Sequence, residues 1–300
     1  MGADRGMADR GVTPEERFAR ARPRLLRLAY SQLGDVGEAE DVVQEAWLRL
    51  ERTGASSIND LDAWLTTVVG RLSLDTLRSA RARRERYVGP WLPEPLVSST
   101  ADDPAERVTL DESVSYALLV MLEQLSPPER TAFVLHDVFG MSFDDVGDVV
   151  GRTPVAVRQL ASRARRHVQE QSPRFDATRD EHERAVRAFA HAVADGDLDR
   201  LVSALDPDVV WTADGGGHAV AALKPIRGAD RVARGWMALR RKPAIVPTPR
   251  LVEINDRPGL MIVGTDGYRS MLSFTVERGR ITRIDVVRNP EKLRHVREFA

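Results

Sequence analysis

Residues 142–168 read SFDDVGDVVGRTPVAVRQLASRARRHV. Ser142 stands where an N-cap belongs, ahead of a short apolar stripe of Phe143, Val146, Val149 and Val150, and Gly151 stops that helix. Thr153 caps a second helix with Pro154 at its first position, where a missing N–H costs nothing. On the second helix Val157, Leu160 or Ala161, Ala164 and Val168 share one face, leaving Arg158, Gln159, Ser162, Arg163, Arg165 and Arg166 on the rest. Helix, tight turn and basic second helix fit a helix-turn-helix that enters a DNA major groove. Arginine can pair bidentately with guanine and glutamine with adenine, each worth about 1–3 kcal/mol of base discrimination. The remaining arginines suit phosphates, which set register and salt dependence.

Upstream of this element the pattern is also helical. Phe18, Leu25, Leu28 and Ala29 form one stripe and Val42, Val43, Ala46, Trp47 and Leu50 a second, separated at Gly34-Asp35 and Gly37. A polar loop at Thr53–Ser57 leads to a long helix over Asp62–Arg86, whose end is studded with Arg78, Arg81, Arg83, Arg84 and Arg86. Residues 89–112 break the pattern. Pro90, Pro93 and Pro95 exclude a helix interior across Gly89-Pro90-Trp91-Leu92-Pro93-Glu94-Pro95-Leu96, and an acidic stretch through Asp111 follows. This is a linker, and a Trp in it is expected to dock somewhere. Residues 113–171 return to helix, with Ser126 capping a helix that begins at Pro127.

The last ~125 residues change character. Helices are expected over His182–Ala194, Leu198–Leu205 and Gly228–Arg241, with a strand at Val209-Val210-Trp211 and a glycine cluster Asp214-Gly215-Gly216-Gly217. Alternating segments Arg250–Ile254, Leu260–Thr265, Tyr268–Glu277 and Ile281–Val287 read as an antiparallel meander, with turns at Arg257-Pro258-Gly259, Asp266-Gly267 and Arg278-Gly279-Arg280. Helices followed by a curved sheet give an α+β domain.

The 300 residues hold 44 basic and 45 acidic side chains, yet charge is segregated. Residues 35–51 carry six acids against one Arg, and 91–151 twelve against two. Residues 68–90 and 152–174 each carry six Arg, against two acids and one acid respectively. Two basic blocks between acidic ones point to two anion-binding surfaces rather than one basic tail. The absence of Cys excludes disulfides, zinc–thiolate and iron–sulfur sites and a thiol nucleophile. Met1–Gly11 lacks the apolar core of a signal peptide and no apolar run reaches a membrane span, so a cytoplasmic protein without membrane contact is expected.

Several strings carry a family resemblance. Asp41-Val42-Val43-Gln44-Glu45-Ala46-Trp47 resembles the core-polymerase-binding helix of bacterial sigma factors, Trp64-Leu65 with the helix to Arg86 resembles the −10 reader, and 142–168 resembles the −35 reader. Two helical domains joined by an acidic linker resemble the extracytoplasmic-function (ECF) group. The remainder resembles a SnoaL-like cone. Trp91-Leu92-Pro93-Glu94-Pro95, Asp214-Gly215-Gly216-Gly217-His218 and Asn289-Pro290-Glu291-Lys292-Leu293 are similar to marks of the SigJ-type group, where His218 stands in place of the usual Lys.

The resemblance implies a multidomain fold: a region 2 domain at 10–88, a linker at 89–112, a region 4 domain at 113–172 and a SnoaL-like regulatory domain at 177–300. It implies that Asp41, Gln44, Glu45 and Leu48 meet core RNA polymerase, whose β′ clamp and β flap are the expected contacts. Asn59, Asp60, Trp64, Arg71, Asp75 and Arg78 would bind the −10 element; Trp64 also fits an ordinary helix core. Trp91, Pro93, Glu94, Asp214, Gly215, Gly216, Gly217, His218, Asn289 and Pro290 would be regulatory: the linker and the two loops are expected to touch and hold the promoter-reading domains together. No cofactor and no metal is expected. Asp214, His218, Asp285 and Arg288 are the candidates for an enzymatic alternative, a fused isomerase or cyclase, although Asp285 and Arg288 also fit a simple pair. A ligand-sensing regulator that binds DNA without polymerase is the other alternative, and a small ligand in the cone fits either.

Overall fold

The computed structural model describes residues 13–84, 86–98, 114–171, 177–240, 249–264 and 267–296. The acidic stretch 101–111, the turn residue Asp266 and the side chains of Arg81, Arg83 and Arg84 lie outside the described residues. The chain divides into two units, Met1–Ser79 with Ser126–Ala164, and Ala80–Leu125 with Arg165–Ala300.

In the first unit, α1 (Pro14–Leu33) starts at a Thr13/Glu16 capping box and ends at Gly34, whose φ of 68° suits a left-handed cap. Asp35 caps α2 (Val36–Thr53), so Gly37 lies inside a helix rather than at the break. Leu25, Leu28, Ala29, Tyr30 and Leu33 are buried with Val42, Val43, Ala46 and Leu50, the two expected stripes. A 3-10 turn (Ala55–Ser57) leads to α3 (Leu61–Arg84). Ser126 and Glu129 form a capping box on α5 (Pro127–Phe133), which passes into a π turn over Val134–Val138. Ser142 caps α6 (Phe143–Val150) by accepting from the Asp145 N–H at 3.1 Å. The turn then closes on glycine. Gly151 takes φ 71°, and a Cβ on Gly147 would meet the Arg152 carbonyl oxygen at 2.7 Å. Thr153 Oγ1 accepts from the Ala156 N–H at 3.3 Å and opens α7 (Pro154–Gln171).

The second unit is a seven-stranded sheet with three helices on one face and a short one on the other. Its strands are β1 (Val97–Ser98), β2 (Leu205–Asp214), β3 (Ile226–Arg227), β4 (Arg250–Ile254), β5 (Arg257–Val263), β6 (Arg269–Glu277) and β7 (Arg280–Val287), in the order β1-β4-β5-β6-β7-β2-β3. β4 to β7 form the expected meander, while β2 joins β7 in parallel. The turn between β4 and β5 is not at Arg257-Pro258-Gly259, which lies within β5. It falls on Asn255 and Asp256, at φ 45° and 61°. Both side chains are short and polar and tolerate the left-handed region.

Helices α8 (Arg179–Asp195), α9 (Leu198–Ala204) and α10 (Ala229–Arg240) cover the inner face. There Phe189, Trp211, Trp236 and Phe274 pack with Ile284 and Val286, and the rings of Trp211 and Trp236 stack 5.1 Å apart. The outer face carries a second apolar cluster in which Val252, Ile254, Met261, Met271 and Val287 meet Leu92 of the linker and Tyr116 and Val120 of the short α4 (Tyr116–Leu122). The described linker residues 89–98 are therefore packed chain rather than solvated tether. No described helix is long and apolar enough to cross a membrane.

Candidate functional site

The basic face of α7 survives folding. Val157, Ala161 and Ala164 are buried, whereas Arg158, Gln159, Ser162, Arg163 and Arg166 are exposed; Arg165 is half-buried. Arg158 lies over the Phe143 ring at 5.1 Å, and that ring stacks on His136 with centroids 3.8 Å apart. This contact holds the guanidinium against a ring while the side chain stays exposed.

On α2, Asp41, Gln44 and Leu48 are exposed, Leu48 to 43%. Glu45 is partly covered and pairs with Arg49 at 2.9 Å and Arg52 at 3.2 Å; Arg49 holds its carboxyl below the usual range. Asn59 is exposed. Asp60 accepts from the Ala63 N–H at 3.0 Å and so begins α3 as its cap. Trp64 is half-buried, between the two roles its position allowed. Asp75 and Arg78 pair with each other at 3.2 Å on the surface. Arg71 donates from Nη2 to the Asp148 carbonyl of α6 at 2.9 Å. Beside it, a Cβ on Gly70 would lie 3.2 Å from Val149 and 3.3 Å from Leu135. The expected −10 helix thus rests against the helix-turn-helix within this unit.

The second unit gathers the three short strings around one buried ion pair. Lys292 is 4% exposed and Asp214 fully buried. Lys292 Nζ meets Asp214 Oδ2 at 2.6 Å, donates to the Leu92 carbonyl and sits 3.2 Å from the centroid of the Trp91 ring. Asp214 also accepts from the Leu92 N–H at 2.9 Å, the Tyr87 hydroxyl at 2.6 Å and the Gly216 N–H at 3.1 Å. Asn289 Nδ2 donates to the Tyr87 oxygen at 2.7 Å. Burial, with the carboxylate of Asp214 beside it, pushes the Tyr87 hydroxyl well above its ordinary value, so it stays a donor. Gly216 lies at φ 61° against Asn289, where a Cβ would come within 2.4 Å of Nδ2.

Further along the linker, Tyr116 donates to the Pro93 carbonyl at 2.9 Å and His295 meets Glu94 at 2.7 Å. Asn255 accepts from the Leu96 N–H at 3.1 Å while β1 pairs with β4. The linker and the two loops meet as expected. Tyr87, Asn255 and Lys292 were not among the expected site residues, although Lys292 lies inside one of the quoted strings. A buried cation facing a buried aspartate is the most demanding group in this network, since desolvation is offset only by complete pairing.

The enzymatic candidates are otherwise occupied. Asp214 belongs to the clamp, and His218 is exposed with Nε2 3.7 Å from Glu291. Asp285 and Arg288 do not pair. Arg288 donates to the Val220 carbonyl at 2.6 Å, and Asp285 pairs with Arg283 at 2.7 Å. Alternation along β7 puts residues two apart on one face, so 283 and not 288 faces 285. Burial pushes the Asp285 carboxyl up, against the pull of Arg283.

Family models for sigma-70 region 2 match residues 18–83 and for sigma-70 region 4 residues 115–168. The ECF RNA polymerase sigma factor SigJ of Mycobacterium tuberculosis is 43% identical over 286 residues, covering 92% of this chain and 91% of that one. The probable ECF RNA polymerase sigma factor SigI of the same organism is 38% identical over 271 residues, covering 90% of this chain and 91% of its own length. The crystal structure of M. tuberculosis SigJ superimposes with a TM-score of 0.76 over 93% of this chain and 98% of that one, at 38% identity. With matching helical segments in order and an α+β domain behind them, the chain belongs to the extracytoplasmic-function RNA polymerase sigma factors.

Proposed function

We propose that the chain directs core RNA polymerase to specific promoters as a non-catalytic subunit, with α7 reading the −35 element and α3 with its preceding loop reading the −10 element. The observation that carries this is the outward face of Arg158, Gln159, Ser162, Arg163 and Arg166 on a fully capped helix-turn-helix. Arg158 and Arg163 supply base or phosphate contacts. Asn59, Trp64, Arg71 and Arg78 supply the −10 contacts, and Asp41, Gln44, Glu45 and Leu48 form the polymerase-docking face.

The reading extends to control. The clamp of Trp91, Pro93, Glu94, Asp214, Gly215–Gly217, Asn289 and Pro290, with His218 at its rim, ties the linker between regions 2 and 4 to the C-terminal sheet. Arg71 is engaged by Asp148 and half-buried Trp64 has little surface to offer, so −10 engagement requires α3 to leave the helix-turn-helix. The linker's tether sets how far the two readers can separate.

Transcription in vitro with core polymerase tests this. Arg158→Ala combined with Arg163→Ala should reduce promoter-specific transcript about tenfold or more, at 1–3 kcal/mol per lost base contact. Promoter binding should require core polymerase. Full activity of the double variant, or tight promoter binding by the chain alone, overturns the reading.

A further inference from the structure

The outer face of the sheet holds a cavity that the clamp does not use. It measures about 250 Å³ and is walled on one side by α4, through Ser115, Tyr116, Ala117, Leu118 and Met121. The lining also includes Ile254, Thr275 and Asp285, with His182 and Arg257. At ~30 Å³ per water, this space admits a molecule of roughly eight non-hydrogen atoms.

Two buried polar side chains line this cavity with an atom unsatisfied. Asp285 is 3% exposed; its Oδ2 is held by Arg283, the Thr212 hydroxyl also steadies the carboxylate, and Oδ1 is left without a hydrogen bond of normal geometry among the described residues. His182 is 4% exposed, and its Nε2 likewise has none. Native structures rarely leave such atoms unpaired. Two of them on one space, beside the apolar side chains of Leu118, Met121 and Ile254, make the pattern of a small-molecule site.

The charge arrangement selects the ligand. A cation would face the guanidinium group of Arg257. An anion would face the free oxygen of Asp285, while Arg283 is already taken by the other oxygen. An uncharged hydroxyl group can donate to Asp285 Oδ1, and a ring can lie on the apolar wall.

We propose that this cavity binds a small uncharged hydroxyl-bearing ring compound, and that binding favours the docked position of α4 because α4 forms one wall of the site. The site differs from the inner face of the cone, which is packed with the Trp211, Trp236, Phe189 and Phe274 rings. A ligand shifts a docked–undocked equilibrium only by its differential affinity, and this one contacts α4 only when α4 is docked. α4 lies in the region 4 match, so the effect on transcription rests on the function proposed above; binding itself does not.

The test titrates the full chain with benzyl alcohol and cyclohexanol by ligand-observed NMR, with benzoate and benzylamine as charged counterparts. Wild type should bind the two alcohols saturably and the charged compounds about tenfold more weakly. Asp285→Asn, which keeps the shape, should weaken binding about fivefold. Ala117→Phe, entering from a half-buried position on α4, should fill the cavity and abolish binding. Benzyl alcohol should slow amide exchange over Tyr116–Leu122. No saturable binding of either alcohol, equal binding of the charged compounds, unchanged binding in Ala117→Phe, or unchanged exchange of α4 on saturation would each overturn the proposal. None of these readouts involves polymerase, so their failure leaves the promoter reading standing.

Discussion

Two packed seams hold this protein's functional segments, and they are built from opposite materials. In the first unit α3 meets the helix-turn-helix through the bare backbone of Gly70 and an exposed Arg71 donating to a carbonyl. In the second unit the linker meets the sheet through a buried Lys–Asp pair, an aromatic ring over the cation, a tyrosine hydroxyl and two residues of strand pairing. An exposed polar contact contributes of order 1 kcal/mol or less, whereas breaking one side of a buried ion pair costs about 3–5 kcal/mol. The difference teaches which polar contact is the cheaper to break. In the function proposed above, the α3 contact is the one released toward DNA and the linker contact is the fixed anchor.

The comparison breaks most sharply at Lys292. Lys292→Met leaves Asp214 buried without its cation and removes the charge over Trp91. Calorimetry should show the second unit destabilised by about 3 kcal/mol or more, with Trp91 fluorescence shifted toward that of a solvated ring. The double variant Asp214→Asn/Lys292→Met should recover part of that loss, since no unpaired charge remains. A single variant as stable as wild type would mean the anchor is no stronger than the α3 seam.

A smaller effect is expected from pH. Burial, with the Arg257 and Arg179 charges nearby, lowers His182 from 6.5 to about 4. Between those values the unfolded chain binds the proton and the folded chain does not, so stability is complete above pH 6.5 and declines as pH falls toward 4. Denaturant titrations of wild type and His182→Gln across this window should show the decline in wild type and a flatter curve in the variant. Equal slopes would remove His182 from the account.

The smallest effect belongs to Arg71→Ala, which should change stability by less than about 1 kcal/mol in the same titrations, because the guanidinium is exposed and bonds to one carbonyl. A loss as large as that of Lys292→Met would erase the contrast between the seams.

Much of this was legible along the chain. The caps at Ser126, Ser142 and Thr153, the stop at Gly151 and the stripe of Val157, Ala161 and Ala164 depend on neighbours within four residues, and local chemistry decides them. The outward arginines follow from the same period. The Arg257-Pro258-Gly259 turn was misplaced because Pro-Gly is a strong turn signal, while the left-handed tolerance of Asn255-Asp256 is a weaker one. Gly259 is there for closeness instead: a Cβ would meet Ile254 at 2.7 Å and the Leu272 carbonyl at 2.8 Å. The Asp285–Arg288 pair failed on strand alternation, which puts Arg283 beside Asp285.

By itself, then, the order of residues determined the helices, their caps, the meander and the basic recognition face, since each rests on spacing within a turn or a strand. Only the tertiary structure decided that Lys292 would be buried under Trp91, that Tyr87 and Asn289 would share Asp214's site, and that α4 would wall a cavity over Asp285. These partners are separated by 75 residues or more, and no local periodicity encodes a meeting of that range. It is set by which apolar faces bury one another, and the charges they trap must then find partners there.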